Sequence, residues 1–277
     1  MELIRPVLVT GTSTGIGRAT VRALAEAGHS VFAAVHRPES LSDLATEHGD
    51  VRPIALDVTS SQSIEAARAK IHQQLDGTLL RAVVNNAGVS GAGPMALADL
   101  PEVEHVIRVN VVGALAVCQA FLPMLAEPDG RIINIGSGEG FVALPINGAY
   151  AVSKHALEAL SRVLRLELAP SGRYVSVVVP GATSTPILDQ ALNRYDELLA
   201  ETGPVEIYHP QIKGRRRLTE RGRGSTGPGR AAQAVGRAVA AKKPKAHYYV
   251  GWDARTPAIL AKLPTRLGDM ALRQAVR

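Results

Sequence analysis

The 277-residue sequence predicts an α/β fold, a doubly wound parallel sheet of about seven strands with helices on both faces. Three observations predict it: short β-branched runs recur along the chain, stretches of helical spacing separate them, and a glycine-rich turn joins the first run to the first helix. Strands that alternate with helices form βα units, whose crossovers make the sheet parallel and cover both of its faces.

The runs are Val7–Thr10, Val31–Val35, Val51–Leu56, Ala82–Asn85, Arg131–Ile135 and Val175–Val179, and Tyr248–Val250 supplies the seventh. Helical spacing marks Arg18–Ala27, Ser63–Leu75, Val103–Leu125 and Tyr150–Leu168 between them, and Ala231–Ala241 after them. Residues 203–230 break the pattern. They are rich in Gly, Pro and Arg and crowd Lys213, Arg215, Arg216, Arg217, Arg221 and Arg223 together, so they are expected to bury little and to form a mobile surface insertion. A single domain over 1–277 is expected, with 186–230 as a substrate loop or lid inside it. The chain closes on a basic amphipathic stretch, Pro257–Arg277.

The first strand runs into TGTSTGIG, Thr10–Gly17, and then into a helix. Gly11 permits a tight turn, Gly15 lets the backbone approach a diphosphate, and Gly17 lets helix pack close on strand. With Ser13, Thr14 and Ile16 they form a loop whose free N–H groups, at a helix N-terminus, favour an anion. Glycine spacing alone carries little, because a bare strand-to-helix turn uses the same residues. Set in a parallel sheet, the loop predicts a Rossmann-type dinucleotide fold. An acid at the end of the second strand would hold the ribose hydroxyls of NAD, whereas an arginine would accept the 2′-phosphate of NADP. Ala34-Val35-His36-Arg37 contains no acid, which favours NADP(H) over NAD(H). Arg37 is either the phosphate contact, helped by His36, or a solvated charge at a strand end. Asp57 and Val58 are candidate adenine contacts, and Asp57 otherwise caps the following turn.

Ser137 follows the strand Arg131–Ile135, and YAVSK places Tyr150 and Lys154 on one helix face, about 5 to 6 Å apart by Cβ. Hydride addition to a ketone leaves an alkoxide that needs a proton, and a free phenol, with a pKa of about 10, is a poor acid or base near neutrality. A lysine ammonium and an oxidised nicotinamide beside it would stabilise the phenolate and bring its pKa down. Ser137 would hold the reacting oxygen near the tyrosine.

In chain order, TGTSTGIG, Asp57, Asn85-Asn86-Ala87-Gly88, Asn110, Ser137, Tyr150-Ala-Val-Ser153-Lys154, Pro180-Gly181 and Thr185 resemble the short-chain dehydrogenase/reductase family over roughly the first two-thirds of the sequence. The resemblance implies an NAD(P)-dependent alcohol dehydrogenase or ketoreductase. It implies that Asn110 holds a water linking Lys154 to solvent, that Lys154 binds the nicotinamide ribose, and that Thr185, with backbone near Thr183, holds the carboxamide. The Asn86-Ala87-Gly88 turn would steady the sheet and lie against the cofactor. PKAHYYVGWDA and LPTRLGDMALRQAV are similar to the hydroxysteroid and retinol dehydrogenase branch, which implies a lipid-like substrate. The family's habit of pairing through the helices at 103–125 and 150–168 implies a homodimer or homotetramer.

Loops beyond the strand ends set specificity in such folds. Phe141, Leu144, Asn147 and Ile187, together with Ser137 and Tyr150, are the candidate substrate contacts, and their apolar members favour a bulky hydrophobic alcohol or ketone. The same side chains would serve equally as core. A catalytically silent cofactor sensor is the alternative reading, although a sensor has no need of an intact Ser, Tyr and Lys set.

Composition excludes other classes. One cysteine, Cys118, sits in an apolar run, so neither a disulfide framework nor a zinc cluster is expected, no metal is assigned, and a reducing cytoplasm fits. The basic segment lacks interleaved aromatics, which argues against nucleic acid despite the net charge of +6. Glu2 and Arg5 bracket too short an apolar stretch for a signal peptide, and no later run is expected to reach membrane-spanning length.

Overall fold

The runs of β-branched residues pair into one parallel sheet in the order β3-β2-β1-β4-β5-β6-β7. The strands are β1 Val7–Thr10, β2 Val31–Val35, β3 Val51–Ala55, β4 Ala82–Asn85, β5 Arg131–Ile135, β6 Tyr174–Pro180 and β7 His247–Val250. The computed structural model describes residues 5–40, 42, 44, 49–222 and 226–276; Glu2, Arg223 and Arg277 lie outside them. Strands β1, β2, β4 and β5 are buried throughout because helices cover both faces, whereas β3, at the edge, carries Arg52 and Pro53 where a missing N–H is tolerated. The order reverses between β1 and β4, which opens a crevice at their C-terminal ends.

One face is covered by α1 Gly15–Glu26 and α7 Pro228–Ala240, whose Val21, Leu24, Val235 and Val239 pack on Val7, Val9 and Ala33. The other is covered by α2 Ser61–Leu75, α3 Leu100–Met124 and α4 Gly148–Leu168, with Ile71, Val117, Phe121 and Leu164 packed on Leu8, Phe32 and Val83. Each large side chain buried this way contributes roughly 1.5–3 kcal/mol.

Two expectations need correction. Helix α3 is long and apolar enough to cross a membrane by length and composition, contrary to the expectation that no run reaches that length. Its Val106, Val109, Val117, Cys118 and Phe121 are buried in the fold, which is why a helix in the core reads as apolar. The basic segment is also not a structureless insertion. After α5 Pro186–Ala200, a 3₁₀ turn at Pro204–Tyr208 leads into α6 His209–Gly222. Val205 and Ile212 join Leu192, Tyr195, Leu198 and Ile146 in a separate cluster, and Arg216 pairs with Asp196 of α5 and Glu220 of its own helix. Two of the charges that forbade burial on paper, Arg215 and Arg216, are met by Glu139 and Asp196 from elsewhere in the chain. Helices α8 Thr256–Leu260 and α9 Thr265–Ala275 follow β7, and the backbone of Val276 lies against Gly214 of α6.

Candidate active site

The glycine loop is built from both sides of the crevice. Gly11 has φ +66°, and a Cβ there would stand 2.7 Å from the Ala87 Cα, so the turn after β1 and the turn after β4 touch through backbone. Asn86 Nδ2 donates to the carbonyls of Thr10 and Gly11, at 2.9 and 2.8 Å, while the Thr10 hydroxyl accepts from the N–H groups of Asn86 and Ala87. A Cβ on Gly17 would collide with the Gly11 carbonyl, which is the close helix-to-strand packing the sequence implied. Helix α1 begins at Thr14 without a side-chain cap and without an acid in its first turn. Its N-terminal amides therefore fit an anionic diphosphate.

Around this loop, Thr185 begins α5 and lies 3.2 Å from the place of a Gly15 Cβ, and Thr183 is buried with its hydroxyl on the Gly181 carbonyl. Pro180 and Gly181 carry the chain out of β6 towards them. His36 and Arg37 are exposed at the end of β2, and His36 Nδ1 lies 3.6 Å from Asp57 Oδ2. Asp57 caps its own turn, accepting from the Thr59 N–H and hydroxyl at 2.8 and 2.7 Å. Burial pushes its carboxyl up, but the two Thr59 bonds and the charge of His36 outweigh it and leave the group below its usual range. Val58 is buried beside it.

Ser137, Tyr150 and Lys154 converge. Ser137 follows β5 at a 3₁₀ turn, Gly138–Gly140, accepts from the Glu139 N–H, and stands close enough to the Tyr150 phenol to oppose the rise of its pKa. Tyr150 and Lys154 lie one turn apart on α4, with the ammonium 5.5 Å from the phenol ring centroid. Lys154 is buried and donates to the Ile135 carbonyl at 2.9 Å, so the backbone of β5 fixes its height in the crevice. Asn110 sits in a π turn, Arg108–Gly113, inside α3. Its Oδ1 accepts from the Val89 N–H, and its Nδ2 donates to the Val89 carbonyl and to Ser153, which ties α3 and α4 to the loop after Gly88.

The electrostatics differ from the simple expectation. Burial pushes the Tyr150 phenol up to about 12, Glu139 adds to the rise, and the Ser137 hydrogen bond and Arg215 oppose it. Burial also brings Lys154 down to about 8, against the pull of Glu158. Desolvation of the phenol outweighs the groups that oppose it, and the same desolvation disfavours the protonated form of Lys154. Cys118 is buried, with its thiol pushed up to about 11, and belongs to the packing of α3.

Sequence reasoning missed a buried polar network beside this group. Arg215 of α6 pairs with Glu139 and donates from Nε to the Tyr195 hydroxyl at 3.3 Å, and Asn147 Nδ2 reaches both Glu139 oxygens at 3.0 Å. Asn147 is thus drawn into a network of protein groups, and its Oδ1 is buried without a hydrogen-bond partner. Ile146, just before it, holds φ +66°, a left-handed conformation rare for a β-branched residue, with its carbonyl accepting from Gly93. Glu139 is the sole charged residue between Arg131 and Lys154, a signal that a buried acid needs a partner. Leu144 and Ile187 are half-buried, while Phe141 packs with Val177, Val179 and Tyr249.

The chain is similar to known proteins over most of its length. A family described as short chain dehydrogenase matches residues 5–196. The chain is 36% identical over 265 residues to 3-amino-tetrahydro-pyrrolizinone reductase of Xenorhabdus hominickii, covering 94% of this chain and 92% of that one. It is 30% identical over 280 residues to retinol dehydrogenase 5 of Mus musculus, covering 96% and 87%. A solved short chain dehydrogenase from Burkholderia cenocepacia J2315, in complex with NADP, superposes with a TM-score of 0.74 at 25% identity over 97% of each chain. The chain belongs to the short-chain dehydrogenase/reductase family of NAD(P)-dependent oxidoreductases.

Proposed function

We propose that the protein moves a hydride between NADP(H) and a secondary alcohol or ketone with a hydrophobic, steroid-, retinoid- or lipid-like body. The observation that carries this reading is the convergence of the Ser137 hydroxyl and the Lys154 ammonium on the Tyr150 phenol. Ser137 holds the substrate oxygen, Tyr150 exchanges the proton with it, and Lys154, with two N–H groups left beyond its bond to Ile135, binds the nicotinamide ribose. The nicotinamide, when bound, gives or takes the hydride and in its oxidised form sets a positive charge beside the phenol.

The loop of Gly11, Ser13, Thr14, Gly15, Ile16 and Gly17 holds the diphosphate, and Asp57 with Val58 borders the adenine. Asn86, Ala87 and Gly88 flank the cofactor, while Thr183 and Thr185, beyond Pro180 and Gly181, hold the carboxamide. Arg37, with His36, takes the 2′-phosphate; the absence of an acid at this strand end and the NADP bound to the Burkholderia relative support that choice. The hydrophobic substrate is supported by the half-buried Leu144 and Ile187 and by the likeness to retinol dehydrogenase 5. Residues 186–230 form the lid. A reducing cytoplasm suits the lone, buried Cys118. Exposed Val112, Val152, Val163 and Leu166 on α3 and α4 suit a homodimer or homotetramer.

Tyr150→Phe tests the reading. The variant should bind NADPH about as tightly as the parent and lose turnover by about 10³-fold against a panel of steroids, retinoids and aliphatic ketones. Unchanged rates would remove the assignment.

A further inference from the structure

The pair of Glu139 and Arg215 joins two parts of the chain 76 residues apart at the edge of the proton-transfer group. Glu139 lies two residues after Ser137, on the turn that positions it, and Arg215 comes from α6 in the lid. Both side chains are nearly buried, at 13% and 10% exposure, so solvent does little to screen the charges. The network is braced on each side. Asn147, at the N-terminus of the helix that carries Tyr150, donates to both carboxylate oxygens, and the Tyr195 hydroxyl of α5 receives the guanidinium Nε. Neighbouring Arg216 is paired on the more exposed side with Asp196 and Glu220, whereas Arg215 is the buried member of the basic run among the described residues.

We propose that Arg215 is a positioning residue: by pairing with Glu139 it docks α6 against the loop of Ser137 and cancels a carboxylate charge that would otherwise stand beside Tyr150. The inference rests on Tyr150 being the group that exchanges the proton. Docking of the lid and tuning of the phenol then become one event, since the same bond does both. The charged groups facing Tyr150 are Glu139 from the 3₁₀ turn, Arg215 from α6 and Lys154 from its own helix; Glu139 faces Arg215, and Arg215 faces Glu139 and Tyr195. Glu139 raises the phenol's pKa and Arg215 lowers it, so the two act in opposite senses on one proton.

The test uses Arg215→Met, Glu139→Gln and the double variant, with Tyr150→Phe as the blank. The tyrosinate ultraviolet band is titrated in the complex with oxidised cofactor, a readout that needs no substrate, and the rising limb of kcat/KM against pH is followed for alcohol oxidation. Arg215→Met should move both midpoints to higher pH by at least about half a unit, Glu139→Gln should move them lower, and the double variant should return close to the parent. Should Arg215→Met fail to fold, the double variant must still titrate above Glu139→Gln. Shifts in the same direction, no shifts, or a double variant no nearer the parent than either single overturn the proposal, because a purely structural role lowers activity in all three alike. Tyrosinate midpoints that move as expected in a protein that oxidises no alcohol would uphold the pair while removing the substrate reading.

Discussion

The Asn86 side-chain amide donates to the carbonyl of Gly11 at 2.8 Å, a hydrogen bond across the reversal of strand order that ties the glycine loop to the end of β4. The same nitrogen also holds the Thr10 carbonyl, so one side chain satisfies two backbone acceptors where β1 passes into the glycine loop. Asn86→Ala should therefore cost about 1–3 kcal/mol in unfolding free energy and loosen the diphosphate cradle. Chemical unfolding checks the first and an NADPH fluorescence titration the second; a variant with the parent's cofactor affinity would show that the loop keeps its shape without this residue.

Lys154 gives a pH dependence with a definite sign. Burial holds its folded pKa at about 8, below the unfolded value of about 10.4. Between those values the unfolded chain binds the extra proton, so this group's cost to stability is full below the lower value and is relieved as pH rises towards the upper one. Relative to Lys154→Met, the parent should gain up to about 3 kcal/mol across that window. Urea unfolding of both proteins at several pH values measures the difference, and a difference that stays constant with pH would contradict the buried ammonium.

Cofactor choice turns on Arg37. The parent should bind NADPH at least about tenfold more tightly than NADH, and Arg37→Ala should remove most of that margin, since a charge-assisted contact to phosphate contributes about 1.5–3 kcal/mol. Dissociation constants for the two reduced cofactors with both proteins decide it. Equal affinities in the parent would refute the preference, and a margin that survives in the variant would move the phosphate contact away from Arg37.

Much of the site was legible because its geometry is local. Tyr150 and Lys154 share a helix face by virtue of four-residue spacing, and Gly11, Gly15 and Gly17 mark a turn that needs glycine wherever it occurs. The strand runs were equally legible, each within a residue of its place, since strands covered on both faces read as nearly continuous β-branched runs and the edge strands β3 and β7 keep enough β-branched or aromatic residues to stand out. The basic segment was misread for the opposite reason. Arg215 and Arg216 looked solvated because the acids that meet them across the fold, Glu139 and Asp196, are 76 and 20 residues away. Helix α3 was misjudged in the same way, as sequence alone does not say whether an apolar helix meets lipid or a sheet.

By itself, then, the order of residues determined the alternation of strands and helices, the anion-binding turn and the serine, tyrosine and lysine set, all of which depend on neighbours within a few turns or on backbone conformation. The tertiary structure alone decided that Arg215 turns inward to Glu139, that Asn147 joins them, and that the phenol rises while the ammonium falls. These outcomes depend on desolvation and on charges brought together from distant segments, and neither quantity exists until the chain has packed.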